Sequence, residues 1–369
     1  MKLRLLPLLA AGLLGTLAVR SPGATAADCA ASAGLPWPAP DWRAEPAPPD
    51  RPEVRALDAY AFPENLDEAA RKGIRTNGLV VIRDGVIVHE RYARGFGPDT
   101  PHIAWSVSKS VLHAVYGAAV RDGLADIDRP VAERSPWIGQ GDHARITYRH
   151  LFAMSSGLNF REAYEFAPLK SSVVAMLYTR GRRDMGLFAA GHPLAAAPGT
   201  AWSYKSGDSL ILSRALRDLV GSERYPDYPW TALFDRIGIR SATWERDGEG
   251  VFVASSYLYA TPRDLARIGL LYLRDGCWAG AERVLPEGWV AYAGQQVTAP
   301  RPYGAHWWLS RREPGPSNDA LIASGHWGQR LMVIPGHRLV VVRTGDDRGG
   351  GLANDAFLPL VIAAFGTMP

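Results

Sequence analysis

Short apolar runs near both ends of the chain predict β-hairpins. Leu79–Ile82 and Val86–Val88 flank Asp84-Gly85, while Leu331–Ile334 and Leu339–Val342 flank Pro335-Gly336. Branched apolar residues favour strands, and a Gly-containing pair between two such runs is typical of a tight turn. The pattern therefore predicts strands at both ends of the chain.

The middle of the chain follows a helical period instead. Apolar residues recur at helical spacing from Val107 to Ala119, and Gly123 stands where such a helix would stop. Further apolar helical stretches run from 265 to 273 and from 352 to 365. Strands, then helices, then strands predict an α+β fold, in which an antiparallel sheet is flanked by helices and a mainly helical lobe is inserted. We assign residues 56–105 and 255–369 to the sheet lobe and 106–254 to the helical lobe, with a cleft between them as the expected site.

The first residues have the pattern of a secretory signal. Lys2 and Arg4 precede an apolar run from Leu5 to Val19, and Ala24–Ala26 offers small residues for cleavage. We therefore predict a signal peptide at 1–26 and a periplasmic or secreted bacterial protein, with an uncleaved N-terminal anchor as the alternative. Residues 27–55 are rich in Pro and Ala, which predicts an extended leader lying over a surface.

Composition narrows the functional class. Among 369 residues, 47% are hydrophobic and 21% are charged, which is typical of a folded enzyme or binding domain rather than a disordered chain. The net charge of +4 is spread along the sequence without a Lys/Arg block, so nucleic acid is not the expected partner. After signal removal no apolar segment is long enough to predict a stable membrane span. The two cysteines, Cys29 and Cys277, either pair in an oxidising compartment or remain free thiols.

The main chemical feature is Ser106-Val107-Ser108-Lys109 at the start of the predicted helix. Residues three apart share a helix face, so the Lys109 amine would reach the Ser106 hydroxyl. A hydroxyl needs a base to act as a nucleophile, and a lysine serves as that base only when it is neutral. The alternative is an exposed helix cap beside a solvated lysine. The apolar helix that follows favours the buried pair.

Two further segments could complete such a site. Tyr204, followed by Lys205 and Ser206, could relay a proton between nucleophile and leaving group, although a packed core tyrosine is the simpler interpretation. Residues 323–328 precede the strand that begins at Gln329, and their small side chains would let a substrate lie along a strand edge. The backbone N–H groups of Ser106 and His326 are then the expected oxyanion donors, with a glycine-marked turn as the alternative.

The motifs of other hydrolase classes are absent from this sequence. No Gly-x-Ser-x-Gly elbow is present for a Ser-His-Asp enzyme, and no His-Glu-x-x-His pair is present for a zinc enzyme. We therefore expect neither a metal nor a cofactor, and we do not expect His150 or His326 to be a metal ligand.

Together, the three segments in this order resemble the penicillin-recognising serine hydrolases of the class C β-lactamase type. Their Ser-x-x-Lys, Tyr-x-Asn and Lys-Thr-Gly elements correspond to the segments at Ser106, Tyr204 and Ala323. Surrounding stretches match as well, over roughly Leu79 to Phe365: 122–128, 146–151, 154–158 and 259–267. The resemblance implies a β-lactamase/transpeptidase-like fold.

Within that family the chain is most similar to 6-aminohexanoate-oligomer hydrolases and related carboxylesterases, on the stretch from Phe160 to Tyr164. The resemblance implies that Tyr164 closes over the substrate. The candidate substrate-binding residues are Tyr164, Ser206, Ser324, Gly325 and Trp327. Two positions depart from the family, because Ser206 replaces the usual Asn and Ala323 replaces the lysine that would hold a substrate carboxylate.

The predicted function is hydrolysis of a small ester or amide through an acyl-enzyme on Ser106, with Lys109 and Tyr204 as the proton relay. The alternatives are a class C-type β-lactamase, a D-amino-acid peptidase, and a catalytically silent protein that binds cell-wall peptides. The sequence leaves the acyl group and the oligomeric state open.

Overall fold

The computed structural model describes residues 29, 34–64, 66, 69–164, 167–310 and 320–366. The predicted signal peptide lies outside these ranges. The strands are β1 (Thr76–Arg83), β2 (Val86–Tyr92), β3 (His102–Ile103), β4 (Thr243–Trp244), β5 (Leu258–Ala260), β6 (Cys277–Trp278), β7 (Glu282–Arg283), β8 (Trp308–Leu309), β9 (Leu321–Gly325), β10 (Gln329–Ile334) and β11 (Leu339–Gly345). The helices are α1 (Pro52–Ala61), α2 (Val107–Arg121), α3 (Tyr148–Phe152), α4 (Ser172–Tyr178), α5 (Met185–Ala190), α6 (Ser206–Val220), α7 (Asp235–Ile237), α8 (Pro262–Leu273), α9 (Trp289–Gly294) and α10 (Asn354–Phe365).

The two ends of the chain build one antiparallel sheet of six strands in the order β2-β1-β11-β10-β9-β8. The two predicted hairpins are present as β1–β2 and β10–β11. They join at the centre of the sheet, where β1 pairs with β11 and Val80 lies opposite Val342. The predicted α+β fold with an antiparallel sheet is thereby confirmed.

Helices cover both faces of this sheet. Along β11, Val340 and Val342 face a core shared with α2 and α8, whereas Leu339 and Val341 face a second core shared with α1 and α10. Successive side chains of a strand point to opposite faces, so a strand covered on both sides is apolar throughout. This explains the uninterrupted apolar run at 339–342.

The segment from α2 to α7 forms a mainly helical lobe beside the sheet. Helix α2 is buried along nearly its whole length, and its Tyr116 hydroxyl donates to the Leu212 carbonyl of α6 at 2.7 Å. A small sheet, β3-β5-β4, joins this lobe to the segment that leads into α8. The N-terminal ends of α2 and α6 therefore meet the end of β9, and this junction holds the site.

The described part of the leader lies across α8 and β2, with bends at 39–41 and a turn at 49–50. Ala44 forms a parallel bridge with Ile87, and the Arg267 guanidinium donates to the Pro38 and Pro40 carbonyls at 2.7 and 2.8 Å. Cys29 forms a disulfide with Cys277 of β6. Helix α1 begins at Pro52, within the last residues of the predicted leader.

Within the described ranges, none of the helices combines the length and apolar character that crossing a bilayer requires.

Candidate active site

Ser106 lies at the turn between β3 and α2, where it is the N-cap residue of the helix. The turn is tight: Ala104 N–H donates to the Leu258 carbonyl at 2.7 Å, and Trp105 has a left-handed φ of 47°. A bulky residue in this region costs free energy, which the surrounding contacts must offset. The turn leaves the Ser106 side chain half-buried.

Lys109 is buried one helical turn later, with 1% of its surface exposed. Its Nζ lies 3.0 Å from Ser106 Oγ, 3.1 Å from Ser206 Oγ and 3.0 Å from the Ser255 carbonyl oxygen. Burial lowers the pKa of Lys109 to about 8, against an opposing influence of Glu162. Removal from water disfavours the charged form, so a substantial neutral fraction exists near neutral pH.

Tyr204 directly precedes the first turn of α6. Its ring lies 5.1 Å from Lys109 Nζ and stacks on the Trp308 ring, with the ring centres 5.4 Å apart. Its phenol lies close enough to the Ser106 side chain to interact with it. Burial, with a smaller contribution from Glu162, raises the pKa of the phenol, so Tyr204 stays protonated at neutral pH and offers an O–H. The structure therefore brings Ser106, Lys109 and Tyr204 together.

Ser206 is the first residue of α6, and its hydroxyl points to Lys109. Its Oγ donates to Glu162 Oε1 at 2.7 Å, and its backbone N–H donates to Glu162 Oε2 at 2.8 Å. Sequence reasoning missed Glu162, although it lies inside the stretch from Phe160 to Tyr164 that carried the family resemblance. Its only sequence signal was an acidic residue between aromatic residues of the matching loop.

The candidate oxyanion loop, His326–Gly328, is held through its carbonyl groups. The Gln329 side chain donates to the His326 carbonyl at 3.1 Å, Asp347 N–H donates to that of Trp327 at 3.0 Å, and Arg343 donates to that of Gly328 at 2.8 Å. These bonds fix the three peptide planes that follow the His326 N–H, and so hold the loop in one conformation.

Gly325 lets β9 closely approach the turn that holds Ser106. A Cβ at Gly325 would lie 2.5 Å from the Ala104 carbonyl oxygen, which is closer than van der Waals contact allows. Any larger residue at this position would push the oxyanion loop away from Ser106.

Aromatic rings form a wall beside the candidate oxyanion loop. Tyr164 stacks on His326 with ring centres 5.0 Å apart, and Trp105 meets His326 and Trp327 edge-on at 5.5 and 5.4 Å. Tyr164 and Trp327, two of the predicted substrate-binding residues, therefore lie in one cluster with the candidate oxyanion loop.

Ser324 lies apart from this cluster. It pairs with Arg330 across β9 and β10, and strand alternation places both on the face covered by α10. The Arg330 guanidinium binds Asn354 Oδ1 at 2.9 Å and the Gln329 carbonyl at 2.8 Å, so it does not replace the cation absent at Ala323. Ala323 faces the core shared with α2.

In the described part of the chain, no three His, Cys, Asp or Glu side chains are grouped so as to hold a metal ion. His150 belongs to the N-terminal cap of α3, where its Nδ1 accepts from Thr147 N–H at 3.3 Å.

Several known proteins are similar to this chain in sequence or in fold. A 6-aminohexanoate-dimer hydrolase of Paenarthrobacter ureafaciens is 29% identical over 331 residues, covering 82% of this chain and 80% of that protein. A proposed 6-aminohexanoate-dimer hydrolase from Bacillus anthracis superposes with a TM-score of 0.71 at 20% identity, covering 89% of each chain. EstCE1, a hydrolase with promiscuous acyltransferase activity, gives a TM-score of 0.66 at 15% identity, with 85% of this chain and 98% of that chain covered. Residues 62–356 match the beta-lactamase family, and the chain therefore belongs to the beta-lactamase family of serine hydrolases.

Proposed function

We propose that this hydrolase cleaves a linear amide or ester through an acyl-enzyme on Ser106. The observation that carries the proposal is the buried Lys109 amine, 3.0 Å from Ser106 Oγ and with its pKa lowered to about 8. A base of this kind, in contact with a half-buried hydroxyl, activates a nucleophile without help from a solvent-exposed group.

Acylation begins when neutral Lys109 takes the Ser106 proton as Oγ attacks the substrate carbonyl. The N–H groups of Ser106 and His326 donate to the oxyanion that forms. The Tyr204 phenol then donates its proton to the departing amine or alcohol, and the Lys109 ammonium returns a proton to Tyr204. The carbonyl–leaving-group bond breaks and the acyl group stays on Ser106.

Deacylation uses the same groups in reverse. Neutral Lys109, with Tyr204, takes a proton from a water molecule, and the resulting hydroxide attacks the acyl carbonyl. The Ser106–acyl bond breaks, and Ser106 Oγ recovers its proton from Lys109. The net reaction consumes one water and releases an acid and an amine or alcohol.

For the substrate, we propose a 6-aminohexanoate-type linear amide or a short ester. The name of the Paenarthrobacter relative supports the amide, and that of EstCE1 agrees with broader acyl transfer. The aromatic wall of Trp105, Tyr164, His326 and Trp327 fits an apolar acyl chain. A β-lactam is disfavoured because its carboxylate lies next to the scissile amide and would lack the charge-assisted contact that a lysine at position 323 provides. The carboxylate of a 6-aminohexanoate dimer lies a five-methylene chain away from the scissile nitrogen and does not need that contact.

Two measurements test this proposal. A fluorophosphonate probe should label the purified wild-type chain at Ser106, whereas a silent binding protein would remain unlabelled. Hydrolysis of p-nitrophenyl esters, 6-aminohexanoate dimer, a D-amino-acid peptide and nitrocefin should then rank the substrates. Faster turnover of nitrocefin or of the peptide than of the ester and the dimer would contradict the proposed substrate class.

We also propose that the protein is exported and that its signal peptide is removed after Ala26. The apolar run from Leu5 to Val19 supports this, and so does the Cys29–Cys277 disulfide, since such bonds persist in oxidising compartments. N-terminal sequencing of the chain recovered from the periplasm or medium should begin at Ala27. Recovery of only full-length chain with the cells would contradict export.

A further inference from the structure

Glu162 holds the first residue of α6 through two contacts. Its Oε1 accepts from Ser206 Oγ at 2.7 Å and its Oε2 accepts from Ser206 N–H at 2.8 Å. A carboxylate at a helix N-terminus is electrostatically favoured, and as an ion it can only accept hydrogen bonds. The single hydroxyl proton of Ser206 is therefore committed to Glu162.

That commitment determines what Ser206 offers to Lys109. With its proton donated to Glu162, Ser206 Oγ can only accept from Lys109 Nζ, which lies 3.1 Å away. The other buried contact of Lys109, the Ser255 carbonyl at 3.0 Å, is also purely an acceptor.

A neutral lysine has two N–H bonds and one lone pair. When Ser206 and Ser255 accept both N–H bonds, the lone pair is left for the third neighbour, Ser106 Oγ, at 3.0 Å. This is the orientation that removes the Ser106 proton. If the Ser206 hydroxyl were reversed, it would donate to the Lys109 lone pair and occupy the base.

We propose that Glu162 is a positioning residue that, through Ser206, directs the lone pair of Lys109 at Ser106. The inference rests on the proposed function, because it specifies how the same nucleophile is activated. Under this proposal Glu162 and Ser206 together orient the base. Without its contact to Glu162, Ser206 would be assigned only a contact with the substrate.

Glu162 also has a second measurable effect, which is on the pKa of Lys109. Glu162 raises the pKa of Lys109, Tyr204 stays protonated, and burial lowers the pKa of the neighbouring His306 to about 3, so that ring is neutral. Glu162 is thus the nearby group whose removal shifts the Lys109 titration. Loss of its charge should move the acidic limb of the rate profile to lower pH.

The variant Glu162→Gln tests the orientation directly. Its amide oxygen can still accept from Ser206 N–H, but its NH2 group then faces Ser206 Oγ and donates to it. We expect the Ser206 proton then to turn toward Lys109 Nζ, the other hydrogen-bond partner of its Oγ at 3.1 Å, so that the base becomes occupied. The readout is the rate of fluorophosphonate labelling of Ser106 as a function of pH, with the melting temperature measured on each protein. Glu133→Gln, which removes the same charge from an exposed residue paired with Arg129, is the matched control.

We expect Glu162→Gln to lower the plateau labelling rate by roughly 10- to 100-fold while its acidic limb moves to lower pH. In a Ser206→Ala background, the same change should have little further effect on the plateau, because Glu162 acts through that hydroxyl. A shifted limb with an intact plateau would overturn the proposal in favour of a purely electrostatic role. A lower plateau with no limb shift and a lower melting temperature would overturn it in favour of a structural role.

Ser206→Asn and Ser206→Ala provide a second test that leaves Glu162 in place. An asparagine can donate to Glu162 and accept from Lys109, which preserves the order of donors and acceptors, whereas an alanine cannot. Most of the labelling rate should survive in Ser206→Asn and be lost in Ser206→Ala. Equal rates in the two variants would overturn the proposal. Absence of labelling in the wild-type chain would instead overturn the proposed function, and this inference with it.

Discussion

Lys109 Nζ lies 3.0 Å from the carbonyl oxygen of Ser255, a residue 146 positions further along the chain. Spacing on α2 brings the lysine to Ser106, but this carbonyl and Ser206 hold the buried amine in place. The amine is therefore fixed by contacts from two distant segments as well as by its own helix, which restricts the geometry of the base.

Loss of either member of the pair should abolish catalysis without unfolding the protein. We expect Ser106→Ala to eliminate ester turnover, and Lys109→Ala to lower kcat/KM by about 10³-fold or more, since it removes the general base. Ser108→Ala is the matched control, because that hydroxyl accepts from Leu258 N–H rather than contacting Lys109. Near-normal activity in Lys109→Ala would show that another group is the base.

Activity should rise with pH through the titration of Lys109. Only the neutral amine accepts the Ser106 proton, and its pKa is lowered to about 8. Below that value the neutral fraction falls tenfold per pH unit, so kcat/KM for an uncharged ester should fall with the same slope and level off above it. A profile that is flat between pH 6 and 9 would contradict a lysine base.

Tyr204→Phe should slow the chemical step more than it weakens binding. The ring would keep its stacking on Trp308, while the O–H that protonates the leaving group would be lost. We expect kcat to fall by roughly 10²-fold with a small change in KM, and by more for amides than for esters because amines are poorer leaving groups. An unchanged melting temperature would show that packing is preserved; a change confined to KM would contradict the relay.

The buried ion pair beneath the oxyanion loop should be essential for stability. The Arg343 and Asp347 side chains have 0% and 3% of their surface exposed, and they meet at 2.6 Å. Asp347→Ala would leave a buried guanidinium without its partner and should cost about 3–5 kcal/mol in the free energy of unfolding. Glu133→Ala, which breaks an exposed pair with Arg129, should cost less than about 1 kcal/mol. Similar losses in both denaturation curves would contradict this account.

The disulfide should stabilise the protein by restricting its unfolded chain. Cys29 and Cys277 are 248 residues apart, and Cys277→Ser should lower the free energy of unfolding by about 2–4 kcal/mol. Labelling of Ser106 should persist, since the bond joins the leader to β6, and neither of these segments contributes a residue to the candidate site. Addition of a reductant should destabilise the wild-type chain and leave Cys277→Ser unaffected.

Features that depend on neighbouring residues were predictable from the sequence. The hairpins at 79–88 and 331–342 and the helix that begins at Val107 follow from apolar periodicity and turn residues, which act over a few positions. The Ser106–Lys109 contact follows from the helical repeat in the same way. The leader was predicted to be extended, but its contacts with Arg267 and Ile87 were not.

Tertiary structure alone decided which distant groups share the site. A hydrogen bond between Glu162 and Ser206, or between Lys109 and Ser255, has no periodic signal, because it depends on how separate elements pack in three dimensions. Tertiary structure also decides the side of the sheet to which a strand residue points. Ser324 is a predicted substrate-binding residue, but the register of β9 against β10 places its side chain on the α10 face. By itself the sequence determined the elements and the local Ser106–Lys109 contact. The packing of the two lobes determined the orientation of the base, because the donors and acceptors that restrict it come from both lobes.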